Sequence, residues 1–275
     1  MTSVSKKLKI GIVGCGAIGS RIALSIKREL KQECTVSAIF DIVRPKAAHL
    51  GEKIGKNKIV KTSLSELIKN CDLVVEAVNA PSTRDIIFKS IKAKRHVLAM
   101  SVGKLLKAKD LCNFAERQKV HLLLPSGAIA GIDAVKAASL AKIHEILLTT
   151  RKPPSGFTNN RHIQEKGIDL SKITEETVLF DGDVDTAVKL FPQNINVAAT
   201  LALASKVPGK IRIRIITSPK FTINSHEIDV TGDFGRITSK TENVVCPDNP
   251  KTSYLAVLSG IQTLKQFCHS INIGT

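Results

Sequence analysis

The chain has 275 residues, of which 43% are hydrophobic and 24% charged, a composition that excludes a disordered or fibrous protein and leaves room for one large or two modest domains. The 41 Lys and Arg exceed the 24 Asp and Glu to give a formal net charge of +17, but the cations are dispersed and the aromatic content is 4% with no Trp, so there is little material for stacking bases and no nucleic-acid partner is expected. No apolar run approaches the roughly 18 residues of a membrane span, and the first residues run straight into a strand with no room for a secretory leader, so a cytoplasmic protein with no membrane partner is expected.

The first element is a short buried strand through Leu8, Ile10, Ile12 and Val13. Behind it stands Gly14-Cys15-Gly16-Ala17-Ile18-Gly19, a G-x-G-x-x-G pattern, and then Ile18, Ile22 and Ile26 at the spacing of one helix face. Strand, glycines and helix in that order are the setting a dinucleotide site requires. Gly14 permits the tight turn, a side chain at Gly16 would block a pyrophosphate, and Gly19 lets helix and strand pack closely. Ala17 and Ile18 open the helix whose N-terminal N–H groups face the phosphates. Asp41, directly after the apolar stretch Val36–Phe40, is placed to hold the ribose hydroxyls and to repel a 2′-phosphate. Arg44, three residues on, softens that repulsion. NAD is therefore the expected cofactor, with NADP tolerated. A glycine turn without a ligand is the alternative.

Further along, a helix is expected over Pro45–Ile54, a third strand near Ile59, and a short helix opened by Ser63-Leu64-Ser65-Glu66. The run "CDLVVEAV" reads as a fourth, doubly buried strand. Ser82 is suited to cap a helix reaching Ala93. "HVLAM", a helix over Ala108–Lys119 and "VHLLLP" complete the alternation. This is the pattern of a doubly wound (Rossmann) parallel sheet, whose ligands lie at the carboxyl ends of the strands. Beyond Leu124 the texture is α+β. "PSGAIAGIDAVKAA" is a loop and helix, "IHEILLTTRK" a strand, residues 153–176 are irregular, and "DTAVKLF" and "NINVAATLALA" are helices. "KIRIRIIT" alternates as a half-exposed antiparallel strand, "SHEIDVTGDFGRITSKTEN" is a hairpin turning at Gly232–Gly235, and Leu255, Leu258, Ile261, Gln262 and Leu264 mark a last amphipathic helix. The expected fold is α/β, with a dinucleotide domain over residues 1–125, onto which the helix of 250–275 packs back, and an α+β domain over 126–249.

No HExxH, GxSxG or Walker A lysine pattern is present, and the six cysteines form no CxxC or metal-like cluster, which points to reduced thiols and no metal. A dinucleotide domain joined to an α+β domain suggests hydride transfer at a cleft between them, with loop residues Ala77–Pro81, Ser101–Lys104 and Ser126–Ala130 as candidates. His226 shares a strand face with Ile228 and Val230, and by that pattern alone fits a hydrogen-bonded core histidine as well as a catalytic one. Lys189 and the pair Arg151-Lys152 are candidate anchors for carboxylates or simply solvated cations. Asp183 and Asp185 suit the start of the helix running to Leu190.

"PSGAIAGIDAVKAA", "TTRKPP", "KLFPQNINVAATLALA" and "NSHEIDVTGDFG", in this order behind the glycine fingerprint, resemble the L-aspartate dehydrogenase family over nearly the whole chain. The resemblance implies oxidation of L-aspartate with NAD or NADP to iminoaspartate, which hydrolyses to oxaloacetate and ammonia, in some members to serve NAD biosynthesis. It further implies that the backbone near Ala130 and the side chain of Asn196 contact the nicotinamide end of the cofactor, that His226 is the active-site histidine, and that the protein is a homodimer. Rival expectations are a homoserine-dehydrogenase-like or dihydrodipicolinate-reductase-like oxidoreductase, and a non-enzymatic NAD-sensing regulator.

Overall fold

In the structure, a computed structural model that describes residues 7–78, 80–192, 195–247 and 249–274, the alternating first part of the chain builds a five-stranded parallel sheet. Its elements are β1 (Leu8–Val13), α1 (Ala17–Arg28), β2 (Cys34–Phe40), α2 (Arg44–Ile54), α3 (Leu64–Lys69), β3 (Leu73–Glu76), α4 (Thr83–Lys92), β4 (His96–Ala99), α5 (Lys109–Gln118) and β5 (Leu122–Leu123). The strand order is β2-β1-β3-β4-β5. Ile10, Ile12, Leu73, Val74, Val75, Val97 and Leu98 are wholly buried, as strands covered on both faces must be.

Two local expectations fail here. The third strand near Ile59 is a single 3-10 turn, Asn57–Ile59, and the chain meets the sheet there through one parallel bridge, Val60 to Ile39, with the Lys61 N–H donating to the Ile39 carbonyl at 2.8 Å. Ile59 and Val60 stand between lysines, an apolar stretch too short to build a ladder. Ser82 does precede α4, but its backbone is already helical and its side chain makes no capping hydrogen bond. Ser63, in contrast, accepts the Glu66 N–H while Glu66 reaches back to the Thr62 N–H, so both ends of that exchange secure α3.

The second part comprises α6 (Ile132–Ala138), β6 (Ile143–Lys152), α7 (Arg161–Glu165), β7 (Thr177–Asp183), α8 (Val184–Leu190), α9 (Ile195–Ser205), β8 (Ile211–Thr217), β9 (Asn224–Gly232), β10 (Gly235–Asn243), the short pair β11 (Val245–Cys246) and β12 (Asn249–Ser253), and α10 (Tyr254–Cys268). Its main sheet has the order β10-β9-β6-β8-β7. The β9–β10 hairpin turns at Gly232 and Gly235, the latter at φ +105, a conformation open to glycine. β8 alternates as expected but is antiparallel only to β7 and parallel to β6, because the chain returns to the sheet through helices rather than a hairpin. β7 is a strand the sequence pattern did not announce. The irregularity between Val178 and Phe180 breaks its alternation. Residues 153–176, expected as irregular, hold α7 and two single 3-10 turns.

By internal contacts the chain divides into two compact units, Met1–Pro125 with Val257–Asn272, and Ser126–Ala256 with Ile273–Thr275. In α10 the buried residues are Val257, Gly260, Ile261 and Leu264, whereas Leu255 and Leu258 are 39% and 41% exposed. The cause is Gly260, where an added Cβ would stand 2.6 Å from the Met100 sulfur. That close approach turns the 257–260–264 side inward. No helix among the described residues is long and apolar enough to cross a membrane.

Candidate functional site

In the first unit the three glycines occupy positions where their missing side chains matter for different reasons. Gly14 has φ +92, and a Cβ there would meet the Ala77 carbonyl oxygen at 2.6 Å. A Cβ on Gly19 would collide with the Gly14 carbonyl oxygen, so this glycine is needed for helix α1 to reach the strand. Gly16 is the opposite case, since a Cβ there would meet nothing within 4 Å. Its openness suits a ligand's approach rather than internal packing. Gly16 is the N-cap of α1 and offers no side-chain cap, so Ala17 and Ile18 start a helix whose dipole and N–H groups favour a phosphate. Asp41 closes this cradle. One carboxylate oxygen accepts the Cys15 N–H at 2.7 Å and the other the Val43 N–H at 2.8 Å, which fixes the acid against the glycine turn. Arg44 is exposed at the start of α2. A dinucleotide fits these residues.

Glu76, the last residue of β3, is wholly buried. One of its oxygens accepts the Val78 N–H at 3.0 Å, the Thr83 hydroxyl at 2.9 Å and the Ser101 hydroxyl at 2.9 Å, and the other accepts the Ser101 N–H at 3.2 Å. One side chain thus secures the turns that follow both β3 and β4, at the carboxyl ends of the strands. Asn79, within the first of these candidate loops, lies outside the described residues.

In the second unit one face of the sheet is apolar along most of its length and polar at one end. Ile146 and Leu148 on β6 and Ile228 and Val230 on β9 are buried, and the same parity continues into Thr150, Lys152 and His226. Thr150 pairs with His226 across the ladder, and Thr217 on β8 pairs with Lys152. His226 and Thr150 are 5% and 2% exposed, and the imidazole Nδ1 shares a hydrogen bond of 3.0 Å with the Thr150 hydroxyl. Burial first, and then the positive charge of Lys152, push the His226 pKa down to about 3. His226 is a neutral ring at physiological pH, able to accept a proton and not to lose one.

Lys152 is half-buried, its stem laid beside Gly156, whose Cβ position lies 3.5 Å from the Lys152 Cβ and Cδ. Burial lowers its pKa to about 8, so it is cationic at neutral pH and close to titrating. Arg151, one residue earlier, points to the other face of the sheet and is ion-paired to Glu227 at 2.6 Å. Lys189 is exposed in the last turn of α8. Of the three candidate anchors, strand parity brings only Lys152 to the His226 face. Asp183 has the helix-start role expected of it, accepting the Thr186 N–H at 2.8 Å.

The loop carrying Ala130 is bound to the strand beside His226. Ser239 donates to the Ala130 carbonyl at 2.9 Å, and Thr241 and Asn243 donate to the Ala128 carbonyl at 2.8 and 3.0 Å. Thr241 pairs with His226 across the hairpin, so the loop and the histidine share one hydrogen-bonded framework. Gly131, at φ +80, leads from the loop into α6. Asn196 is the second residue of α9 and is exposed. Ser239, Thr241 and Asn243 were not singled out from the sequence, although three polar residues at alternate positions on one strand are a visible signal.

Residues 14–125 match the family described as homoserine dehydrogenase, NAD binding domain, and residues 133–267 the one described as aspartate dehydrogenase, C-terminal. With the glycine cradle, these matches define a pyridine-nucleotide-dependent dehydrogenase. The L-aspartate dehydrogenases of Methanosarcina barkeri and Methanococcus maripaludis strain C7 are 41% and 42% identical to it over 271 and 273 residues, spanning 98% of this chain and 100% of each relative. The chain belongs to the L-aspartate dehydrogenase family. In fold it is similar to the crystal structure of aspartate dehydrogenase from Thermotoga maritima, with a TM-score of 0.72 and 21% identity over 98% of this chain and 100% of that one. It also resembles a homoserine dehydrogenase from Thiobacillus denitrificans, with a TM-score of 0.62 and 14% identity over 96% of this chain and 73% of that one.

Proposed function

We propose that this protein oxidises L-aspartate to iminoaspartate, which water converts to oxaloacetate and ammonia, and that it uses NAD in preference to NADP. The observation that carries this reading is the pairing of a buried neutral His226 with a cationic Lys152 on one sheet face, in a chain similar to L-aspartate dehydrogenases along its full length. Gly14, Gly16, Ala17, Ile18, Gly19 and Asp41 would hold the dinucleotide, with Ala130 and Asn196 toward its nicotinamide end. Bound NAD supplies an acceptor for the Cα hydride.

The chain's own residues have three tasks. Lys152 anchors a substrate carboxylate, a charge-assisted contact that separates a dicarboxylic amino acid from monocarboxylic ones. His226 accepts a proton from the substrate ammonium so that nitrogen's lone pair can form the imine, releases it to solvent, then takes the proton of the water that adds to the imine carbon and passes it to the nitrogen, which leaves as ammonia. Thr150 orients the ring, and when Nδ1–H donates to its hydroxyl, Nε2 is the accepting atom. An incoming dicarboxylate offsets the Lys152 charge beside His226, which raises the basicity of the ring when substrate is present. Asp41 favours NAD because its carboxylate opposes a 2′-phosphate. A homodimer in the cytoplasm, supplying the imine for NAD biosynthesis, is the biological setting proposed.

The test is NAD reduction by the purified protein with a panel of amino acids. Turnover with L-aspartate alone supports the reading. Turnover with homoserine would favour the second reading, to which the match of residues 14–125 lends weight.

A further inference from the structure

The last residue of β6 is held from two sides. Lys152 pairs with Thr217 on β8, whose hydroxyl donates to the Lys152 carbonyl at 3.0 Å, and its stem lies against Gly156 in the turn Pro154–Phe157. Because Thr150 pairs with His226 across the β6–β9 ladder, Lys152 is the diagonal neighbour of that histidine on the same face. Such neighbours stand about 7–8 Å apart at the backbone, within reach of a long side chain. Next to this polar end is an apolar cavity between the sheet and helices α8 and α9, lined by Leu148, Thr150, Phe191, Ala198 and Ile215 among others. Among the described residues that line it, Thr150 is the one polar side chain.

We propose that Lys152 is also a nucleophile, which forms an imine with the keto carbon of oxaloacetate and thereby decarboxylates it to pyruvate without a nucleotide. The proposal rests on the reading above, in which the dicarboxylate is bound on this face.

The chemistry asks for an amine that can shed its proton, in a poorly solvated place, beside a proton acceptor. Lysines desolvated in apolar surroundings are the ones that form Schiff bases with carbonyl compounds. Lys152 is brought down to about 8 by burial, so roughly a tenth of it is uncharged at pH 7. Lys189, the other lysine weighed as an anchor, is exposed on α8. Aspartate has no carbonyl for an amine to attack, so with aspartate Lys152 remains the cation that holds a carboxylate.

With oxaloacetate the Lys152 nitrogen adds to C2. His226 accepts the proton the nitrogen sheds and returns it to the C2 oxygen, which leaves as water with a second proton from solvent. The product is an iminium ion. The C3–C4 bond then breaks, its electron pair moves through C2 onto the nitrogen, and C4 departs as carbon dioxide. A proton from solvent reaches C3 of the enamine, and hydrolysis releases pyruvate and restores the lysine amine. One proton is consumed in all, and no electrons pass to or from a cofactor.

The test incubates the purified full chain with oxaloacetate and cyanoborohydride, with EDTA present and no nucleotide, followed by intact-mass analysis and peptide mapping. Pyruvate release is followed in parallel without the reductant. The expected result is a single reduced adduct on Lys152 and pyruvate formed faster than in buffer. Lys152→Arg, which keeps the charge but cannot form the imine, should give no adduct at that position and return pyruvate formation to the buffer rate. An adduct spread over exposed lysines, an unmodified Lys152, or decarboxylation that persists in Lys152→Arg would overturn the proposal. NAD reduction by aspartate, measured on the same preparation, keeps the two claims apart. Turnover of aspartate with no Lys152 adduct sinks only this proposal, and absence of both sinks the dehydrogenase reading with it. The wild-type adduct decides the matter even if the variant folds poorly.

Discussion

Replacing Glu76 by Gln should destabilise the nucleotide-binding unit by an amount that follows from the four hydrogen bonds it accepts among the described residues. Three of its donors, the Val78 N–H and the Thr83 and Ser101 hydroxyls, converge on one oxygen, and the Ser101 N–H goes to the other. A glutamine amide can keep its oxygen on the first three, but its NH2 then faces the Ser101 N–H, donor against donor. An orphaned buried donor costs about 1–3 kcal/mol, and the same mutation weakens the remaining bonds by removing their charge. At roughly 2–4 °C per kcal/mol for a chain of this size, the melting temperature should fall by about 2–12 °C. Thermal unfolding by circular dichroism measures it, with NADH titration alongside to ask whether the turns after β3 and β4 still receive the cofactor. Glu76→Leu, which orphans all four donors in a buried site, should cost more than Glu76→Gln. A glutamine variant that melts within a degree of wild type would refute the reasoning, because the carboxylate would then not be what holds those turns.

His226→Ala should lower kcat by about 10²–10⁴-fold, the usual contribution of a positioned proton acceptor, with NADH affinity unchanged. Loss of stability at normal kcat per folded molecule would return His226 to a packing role. The same residue sets an acid limit. Its folded pKa of about 3 lies below its ordinary 6.5, so between those values the unfolded chain binds more protons and stability falls as pH drops. His226→Asn should remove that part of the slope in melting temperature against pH. Lys152→Met should weaken inhibition by succinate, a non-reacting dicarboxylate, by about 10–100-fold, the worth of a charged hydrogen bond. Wild-type affinity for succinate should fall as pH rises through about 8, where Lys152 loses its proton, and the variant should show no such step. Asp41→Ala should narrow the preference for NAD over NADP in KM, and a wild type that already prefers NADP would contradict the role given to this acid.

The first strand, the glycine cradle and Asp41 were legible because each depends on residues near in sequence, and a missing side chain at Gly14 or Gly19 has one steric meaning. Ile211, Ile213 and Ile215 announced β8 by alternation, but not that it runs parallel to β6. That depends on a helical return that no local pattern encodes. Choosing Lys152 over Arg151 needed only parity. Ile146, Leu148, Thr150 and Lys152 continue one face, and a polar residue extending an apolar parity is the signal that went unused. Glu76 was hidden for the reverse reason, as an acid inside a run read as largely apolar, whose partners Thr83 and Ser101 come from the start of α4 and the turn after β4.

The central claim is hydride removal from Cα of L-aspartate, and it is tested most directly with aspartate deuterated at that carbon. With NAD and the purified protein, proton NMR should find the deuterium on C4 of the reduced nicotinamide and oxaloacetate and ammonia in equal amount to NADH. Reduced nicotinamide lacking the label, or no reduction with aspartate while homoserine is oxidised, would contradict the account.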